Sequence, residues 1–544
     1  MTTEKVFKNY LVSFDSNRLK HIYTDTLIIG SGVGGLSAAI HAAEGGSVLI
    51  VSKSKINENS TEYAQGGIAA CISPKDSFTK HINDTLDTGH GLCDKEIVSG
   101  VVREGPERIE ELIKWGANFD KENGELVCTK EGGHSFTRIL RARGDSTGKE
   151  IEDTLINVVL NHPNIEVFEY MFAIDFLIEN NSCKGILAWR EKEGKIIIRA
   201  KSVVLASGGC GQVYRETSNP EVSTGDGIAM AYRAGAVLQD LEFMQFHPTT
   251  LYVVGAERIL ISETVRGEGG ILRNKYGERF MPKYDPKAEL APRDIVSKSI
   301  LHEIRKTNYT HVFLDVRHIP KEKLCKRFPK INKLCASFGI DITKELIPVH
   351  PSAHYIIGGV KVDKQGRTNI KNLYASGEVA CSGLHGANRL GSNSLLEGLV
   401  FGNRIGKHIS SRSDNKKTGD LSSCFVQKSL QNSRYGELDL EDVINSLRSI
   451  MWRNIGIERE GKYIAEAVRN ITHWSKYIID NEFSTPLGWE VQNMLTVTRL
   501  ICISASKRSE SRGVHYRLDF PECDDEKWKK HITVCKGKYN FESC

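Results

Sequence analysis

Near the N-terminus the run Leu27-Ile28-Ile29-Gly30-Ser31-Gly32-Val33-Gly34-Gly35 leaves the backbone few choices. Thr24 to Ile29 is short and β-rich, the glycines form a turn, and Leu36 to Ala43 is apolar and helix-compatible before a second β-rich run, Val48 to Ser52. The pattern predicts a βαβ unit. In such a unit Gly30 makes the tight turn, Gly32 lets backbone approach a pyrophosphate, and Gly35 allows the helix to pack closely. Two further strand-to-glycine junctions, Ser202 to Gly209 and Asn372 to Glu378, predict a single nucleotide-binding sheet assembled from distant pieces of chain.

A chain of 544 residues is long enough for several domains. The fold class expected is α/β. Residues 1–238 and 355–418 would form a Rossmann-like nucleotide-binding domain, interrupted at 239–354 by an α+β capping domain that covers the ligand crevice. The polar stretch Ser410 to Gly419 reads as a linker, and 419–544 as a C-terminal helical domain with a tail. Val443, Leu447, Ile450 and Met451, then Ile464, Val468 and Ile471, recur at helical spacing and predict a bundle. The segment beyond Phe520 is expected to be poorly ordered.

With 73 basic and 68 acidic residues the formal charge is only +5, which carries no nucleic-acid signature. The 13 cysteines show no CxxC pair or metal-like spacing, so no metal is expected and the thiols read as reduced. Residues 1–24 lack the apolar core of a signal peptide, and no later run has the length of a membrane span. A cytoplasmic protein without nucleic-acid or membrane partners is the expectation.

The segment Leu384-His385-Gly386-Ala387-Asn388-Arg389-Leu390-Gly391-Ser392-Asn393-Ser394-Leu395-Leu396-Glu397 places an arginine in a glycine-rich turn leading into a helix. Such a turn can aim a guanidinium fork at a carboxylate while the helix N-terminus faces a second anion, here the dinucleotide. Other candidates have bland alternatives. His247 and His354, taken singly, read more readily as structural histidines; Arg266 and Arg293 could be surface salt-bridge partners, although their apolar, Gly- and Pro-rich settings lean the other way; Glu131-Gly132-Gly133-His134-Ser135 could equally be a simple turn. No acid follows the second strand to hold a ribose hydroxyl; Val51-Ser52-Lys53 stands there, and Lys53 reads either as a phosphate ligand or as a solvated lysine.

The motifs taken together resemble the succinate dehydrogenase and fumarate reductase flavoprotein family. Those that carry the resemblance are Ser60-Thr61-Glu62-Tyr63-Ala64-Gln65-Gly66-Gly67-Ile68-Ala69, Phe246-His247-Pro248-Thr249, Arg266-Gly267-Glu268-Gly269, Ala291-Pro292-Arg293-Asp294, His354-Tyr355 with Gly358-Gly359, and His385 to Glu397. The likeness runs from about Asp25 to Pro521, in family order, and includes Glu510 to His515. It implies FAD as cofactor, contacted by Gly30, Ser31, Gly32, Val33, Gly34, Gly35, Lys53, Ser60, Thr61, Glu62, Tyr63, Ala64, Gln65, Gly66, Gly67, Asp226, Glu378, Ser394 and Leu395. It implies a substrate pocket of Glu131, His247, Ser262, Glu263, His354 and Arg389, with Arg293 in proton transfer. A guanidinium holds its proton to a pKa above about 12, so an electrostatic role for Arg293 stays open.

Two residues favour the members of the family that oxidise L-aspartate. Ser60 stands where succinate dehydrogenases carry the flavin-linked histidine, which implies non-covalent FAD. Glu131 stands where the respiratory enzymes carry glutamine, and a carboxylate suits a substrate ammonium. The activity implied is oxidation of L-aspartate to iminoaspartate with dioxygen or fumarate as acceptor, feeding quinolinate and NAD synthesis, with a hand-off to quinolinate synthase. A soluble fumarate reductase or succinate dehydrogenase flavoprotein subunit is the alternative.

Overall fold

The computed structural model describes residues 9–256, 258–412, 424–427 and 439–544. Strand β1 (Lys20–Ile29), helix α1 (Val33–Ala42) and strand β2 (Val48–Val51) form the expected unit. Strand β1 starts earlier than its apolar pattern indicates, because Lys20 to Tyr23 gain backbone partners in the parallel strand β3 (Gly194–Leu205). Backbone pairing needs no apolar side chain.

The register runs from Lys20 opposite Ile196 to Ile29 opposite Leu205. On its other side β3 has two neighbours: the antiparallel strand Ser182–Arg190, then β4 (Leu373–Ala375), parallel to Val203–Leu205. The three glycine junctions therefore sit side by side at the carboxyl ends of adjacent parallel strands, where open α/β sheets bind ligands.

Helix α2 (Asn393–Ser410) lies along α1 at unusually short range. A Cβ added at Gly398 would lie 2.7 Å from Val33 Cγ1, at Gly402 2.6 Å from Ser37 Cβ, and at Gly406 2.5 Å from His41 Cβ. Matching residues advance together along both helices, so the two are parallel. Both N-termini consequently face the same crevice, and each brings unpaired N–H groups and a positive dipole end.

Residues between β3 and β4 build a separate antiparallel sheet of strands Met244–Leu251, Ile347–Ile356, Val312–Asp315 and Ile271–Arg273, in that spatial order. It has its own apolar core, including Leu251, Val265, Leu272, Ile300 and Leu314. The helix Arg293–Lys306 is tied to it by Ser297 Oγ, which donates to Phe246 O at 3.0 Å.

Helices α3 (Leu440–Asn454), α4 (Gly461–Ile478) and α5 (Pro486–Lys507) form the C-terminal helical region. Leu447, Ile450, Met451, Ile464 and Ile471 are buried, as their spacing predicts. Residues 413–419 of the expected linker lie outside the described residues, as do 420–423 and 428–438 of the expected C-terminal domain.

The expectation of a poorly ordered tail needs correction. Lys530–Cys535 and Lys538–Ser543 form a hairpin whose first strand pairs with Leu238–Gln239. Lysines obscure a short alternation in which Ile532 and Val534 point inward. Asp240 fixes the register, accepting the Ile532 N–H at 3.2 Å and pairing with His531 Nδ1 at 2.5 Å. Among the described residues no helix is long and apolar enough to cross a membrane.

Candidate active site

The crevice opens into a cavity of about 1210 Å³. Gly30 to Gly34, Lys53, Ser60, Thr61, Tyr63, Ala64, Gln65, Asp226, Glu378, Ser394 and Leu395 line it, as do His354 and Arg389. Gly35, Glu62, Gly66 and Gly67 do not line it, and neither do Glu131, His247, Ser262, Glu263 and Arg293. A Cβ at Gly35 would come within 2.3 Å of Gly30 O, so this glycine serves helix packing. Glu62 instead pairs with Lys149 at 2.8 Å.

The wall suits a dinucleotide. Gln65 Oε1, Ser207 Oγ and Ser376 Oγ are buried without a hydrogen-bond partner, and all three residues face the cavity. Unmet polar atoms in a buried wall call for a polar ligand. The two helix N-termini supply the complement to a pyrophosphate.

Lys53 is neither a solvated lysine nor a free cation. Its Nζ lies 2.7 Å from Asp226, 2.6 Å from Glu490 and 2.7 Å from Thr224 Oγ1. Burial pulls its pKa down, but the two carboxylates more than offset that and the net shift is upward. Glu490 comes from α5, so the C-terminal region supports this part of the wall.

At Arg389 the charge pattern is reversed. The guanidinium is buried, and its polar contacts are neutral: Nη1 donates to Ser394 Oγ at 2.7 Å and Nε to Gln245 Oε1 at 3.2 Å. No carboxylate lies within ion-pair distance of it among the described residues. Burial and the nearby Arg293 pull its pKa down to about 10. A buried cation without a counter-ion is costly unless an anionic ligand arrives.

Arg293 begins the helix Arg293–Lys306, with Nε 2.7 Å from Glu263 Oε2 and Nη1 3.2 Å from Gln245 Oε1. Gln245 thus bridges both arginines through one oxygen. Burial raises the Glu263 pKa, but Arg293 and Arg266 outweigh it and hold the carboxyl below its usual range. Arg266 is buried, not a surface partner; Nη1 donates to Glu289 O at 2.6 Å and Nη2 lies 3.4 Å from Glu263 Oε1.

The His247 and His354 rings stand 5.1 Å apart. His247 Nδ1 lies 3.1 Å from Thr249 O and 3.2 Å from Thr249 N, while Nε2 is a buried atom with no partner. His354 Nδ1 contacts Ser218 Oγ at 2.9 Å. Burial depresses both pKa values well below the usual range, with help from Arg293 at His247 and from Arg389 and Arg293 at His354. Both rings are neutral at physiological pH.

Glu131 is more enclosed than its expected role suggests. It accepts from Thr264 Oγ1 at 3.0 Å and from Ser392 Oγ at 2.7 Å. Burial and the Glu263 charge push its pKa up. Ser262 caps the short helix Glu263–Gly267 and donates to Thr264 Oγ1 at 3.1 Å, so it acts on Glu131 through Thr264. A Cβ at Gly391 would lie 3.0 Å from Glu131 Oε2, 3.2 Å from Glu263 Oε2 and 3.4 Å from Arg293 Nη2. These groups converge on a place kept free by a missing side chain.

Comparison with known proteins matches these features. A model described as "FAD binding domain" covers residues 25–395, and one described as "Fumarate reductase flavoprotein C-term" covers residues 444–542. The chain belongs to the succinate dehydrogenase and fumarate reductase flavoprotein family. Its cofactor is FAD. It is 43% identical to L-aspartate oxidase 2-a, chloroplastic, of Nicotiana tabacum, across 93% of this chain and 83% of that protein. Identity to L-aspartate oxidase of Yersinia pestis is also 43%, across 92% of this chain and 97% of the relative. A solved E. coli quinol fumarate reductase chain superposes with a TM-score of 0.89 at 33% identity, over 96% of this chain and 97% of that one.

Several participants were missed in the sequence. Gln245, two residues before His247, shows only its neutral amide until the two arginines meet on it. Thr147 Oγ1 donates to Gly66 O at 2.7 Å and Gly148 N to Ala64 O at 3.0 Å, so the turn Arg143-Gly144-Asp145-Ser146-Thr147-Gly148 braces the Ser60–Gly67 loop. Its small residues ahead of a helix were a usable signal. Glu490 gave none.

Proposed function

We propose that the protein oxidises L-aspartate to iminoaspartate with non-covalent FAD, passing the electrons to dioxygen or fumarate. The observation that carries this reading is Arg389, a buried guanidinium at the cavity with only neutral partners, set beside Arg293. Two cations at one site suit a substrate with two carboxylates. The name L-aspartate oxidase borne by relatives at 43% identity supports the choice of substrate.

In this reading Arg389 takes one carboxylate by its fork and Arg293 the other, while His247 Nε2–H donates to a carboxylate oxygen. Neutral histidines add hydrogen bonds without adding charge to two arginines that already repel. The substrate ammonium faces Glu131, and its Cα–H bond is held in one orientation, which lowers the entropy lost at the chemical step. FAD, when bound by the residues that line its part of the cavity, supplies the hydride acceptor. Arg293, paired with Glu263 at 2.7 Å, is the proposed proton-transfer residue, with a purely electrostatic action on the substrate carboxylate as the alternative. Ser60 has no nitrogen for a flavin bond, which supports a dissociable cofactor.

The proposed place of the reaction is the first step of NAD synthesis through quinolinate, with iminoaspartate handed to quinolinate synthase. Cytoplasm is the proposed location, whereas the tobacco relative is named chloroplastic. A soluble fumarate reductase or a succinate dehydrogenase flavoprotein subunit is the second reading, favoured by the fumarate reductase superposition. The deciding experiment mixes the yellow protein with L-aspartate without oxygen. Bleaching of the visible absorbance is expected; no bleaching by aspartate, with reoxidation of chemically reduced protein by fumarate, would select the second reading.

A further inference from the structure

The face of Arg389 that no hydrogen bond uses lies against a ring. Its Cζ is 4.2 Å from the centroid of Tyr355, which also borders the cavity. The ring is itself held from below. Tyr355 Oη donates to Glu397 Oε2 at 3.2 Å, His385 Nε2 lies 3.0 Å from the same oxygen, and Ser382 Oγ donates to Oε1. Tyr355, His385, Ser382 and Glu397 are all buried. Tyr355 from the antiparallel sheet, with Ser382 and His385 from one loop, thus converge on one carboxylate of α2.

We infer that Glu397 is a positioning residue for the substrate clamp, acting through Tyr355 to hold and polarise the ring on which the Arg389 guanidinium rests. Two effects run in the same direction. Cation–π contact compensates part of the desolvation of Arg389 while leaving its N–H edge open, something a carboxylate partner would not do. Donation of the phenol proton toward a carboxylate also shifts electron density into the ring and deepens the negative potential of its face. The clamp is thereby kept charged and vacant. His385 and Ser382 hold the carboxylate in place, so the tyrosine meets a fixed acceptor.

The inference rests on the reading that Arg389 binds a dicarboxylate, and succinate is a suitable probe for both. Titration of the FAD-loaded protein, followed by the change in flavin visible absorbance, gives the succinate Kd. Tyr355→Phe keeps the ring and loses the tether, and should weaken succinate about 3- to 5-fold; Tyr355→Leu loses the face as well, and should weaken it more than about 10-fold. Glu397→Gln should match Tyr355→Phe, and the double variant should be no worse than either single one. For aspartate turnover, KM should rise more than kcat falls. Wild-type affinity in Tyr355→Leu would overturn the inference, as would an equal loss from Glu397→Gln in the wild-type and Tyr355→Phe backgrounds. Failure of the wild type to bind succinate would overturn the dicarboxylate reading and this inference with it.

Discussion

Two cations border one cavity, and they are treated in opposite ways. Lys53 has two carboxylates within 2.7 Å, whereas Arg389 has an aromatic face, a hydroxyl and an amide oxygen. A cation whose charge is already matched gains little from an anion and is left to offer geometry, such as a donor to a hydroxyl or a phosphate edge. A cation left unmatched stores the desolvation cost until an anion enters. The difference separates a place for a resident cofactor from a place for an anionic substrate that must come and go.

The sharpest way to break this contrast is to give the arginines their own anion. Gln245→Glu changes one atom group and puts a carboxylate 3.2 Å from both Arg293 Nη1 and Arg389 Nε. Succinate affinity should fall on the order of 100-fold, about 3 kcal/mol, with FAD content unchanged. Affinity within threefold of wild type would mean that the missing counter-ion is irrelevant to binding.

A second test uses Glu378, a cavity residue whose carboxyl burial drives up to about 7, against opposition from the Ile356 N–H and Arg389. Its folded pKa lies above the ordinary value, so the stability it contributes to FAD-free protein is complete below about pH 4.5 and is lost as pH rises through 7. The wild type should therefore lose up to roughly 3 kcal/mol relative to Glu378→Gln between pH 4.5 and 8. Parallel stability curves for the two proteins, measured by denaturant unfolding, would show that Glu378 titrates normally.

The contrast also marks what a sequence can disclose. The nucleotide side was legible because its requirements are local: a strand must turn at Gly30, and the helix after it must approach a strand. The same logic found the junction at Ser376-Gly377, which β3 and β4 then brought beside the first. The substrate side depends on meetings between distant residues. Gln245, Arg293 and Arg389 are separated by 48 and 144 residues along the chain, and only the fold shows that one amide oxygen serves both arginines. Family resemblance named the two arginines, but gave no hint that Glu131 is enclosed by Thr264 and Ser392. The solvated reading of Lys53 failed because its partner Glu490 lies 437 residues away and on a different part of the fold. The tail failed for a simpler reason, since its strand alternation is brief and crowded with lysine.

Enclosure of Glu131 makes its proposed role more demanding. Thr264 and Ser392 already satisfy it, so a substrate ammonium must benefit from its charge through a tight site or by taking over a hydrogen bond. Glu131→Gln should weaken aspartate oxidation by roughly 1.5–3 kcal/mol in kcat/KM and affect fumarate reduction much less, because fumarate has no ammonium. Equal losses in the two half-reactions, assayed at matched FAD content, would assign Glu131 to holding Ser392 and Thr264 in place.

The smallest effect is expected where the charge is already matched. Glu490→Gln removes one of two carboxylates from Lys53 but leaves Asp226 at 2.7 Å, so the ammonium keeps a partner and stays charged. The amide also remains able to accept from Nζ. FAD affinity, measured by quenching of free flavin fluorescence as apoprotein is added, should change by less than about 5-fold, near 1 kcal/mol or below. Its sign is informative: with one negative charge fewer, Lys53 is a stronger site for a phosphate edge, and tighter binding would place a phosphate next to it. Weaker binding would mean instead that the ammonium meets a neutral part of the cofactor and that Glu490 fixes its aim. A change greater than 100-fold in either direction would show that the cluster is not charge-matched in the sense argued, and the contrast with Arg389 would fail at this end.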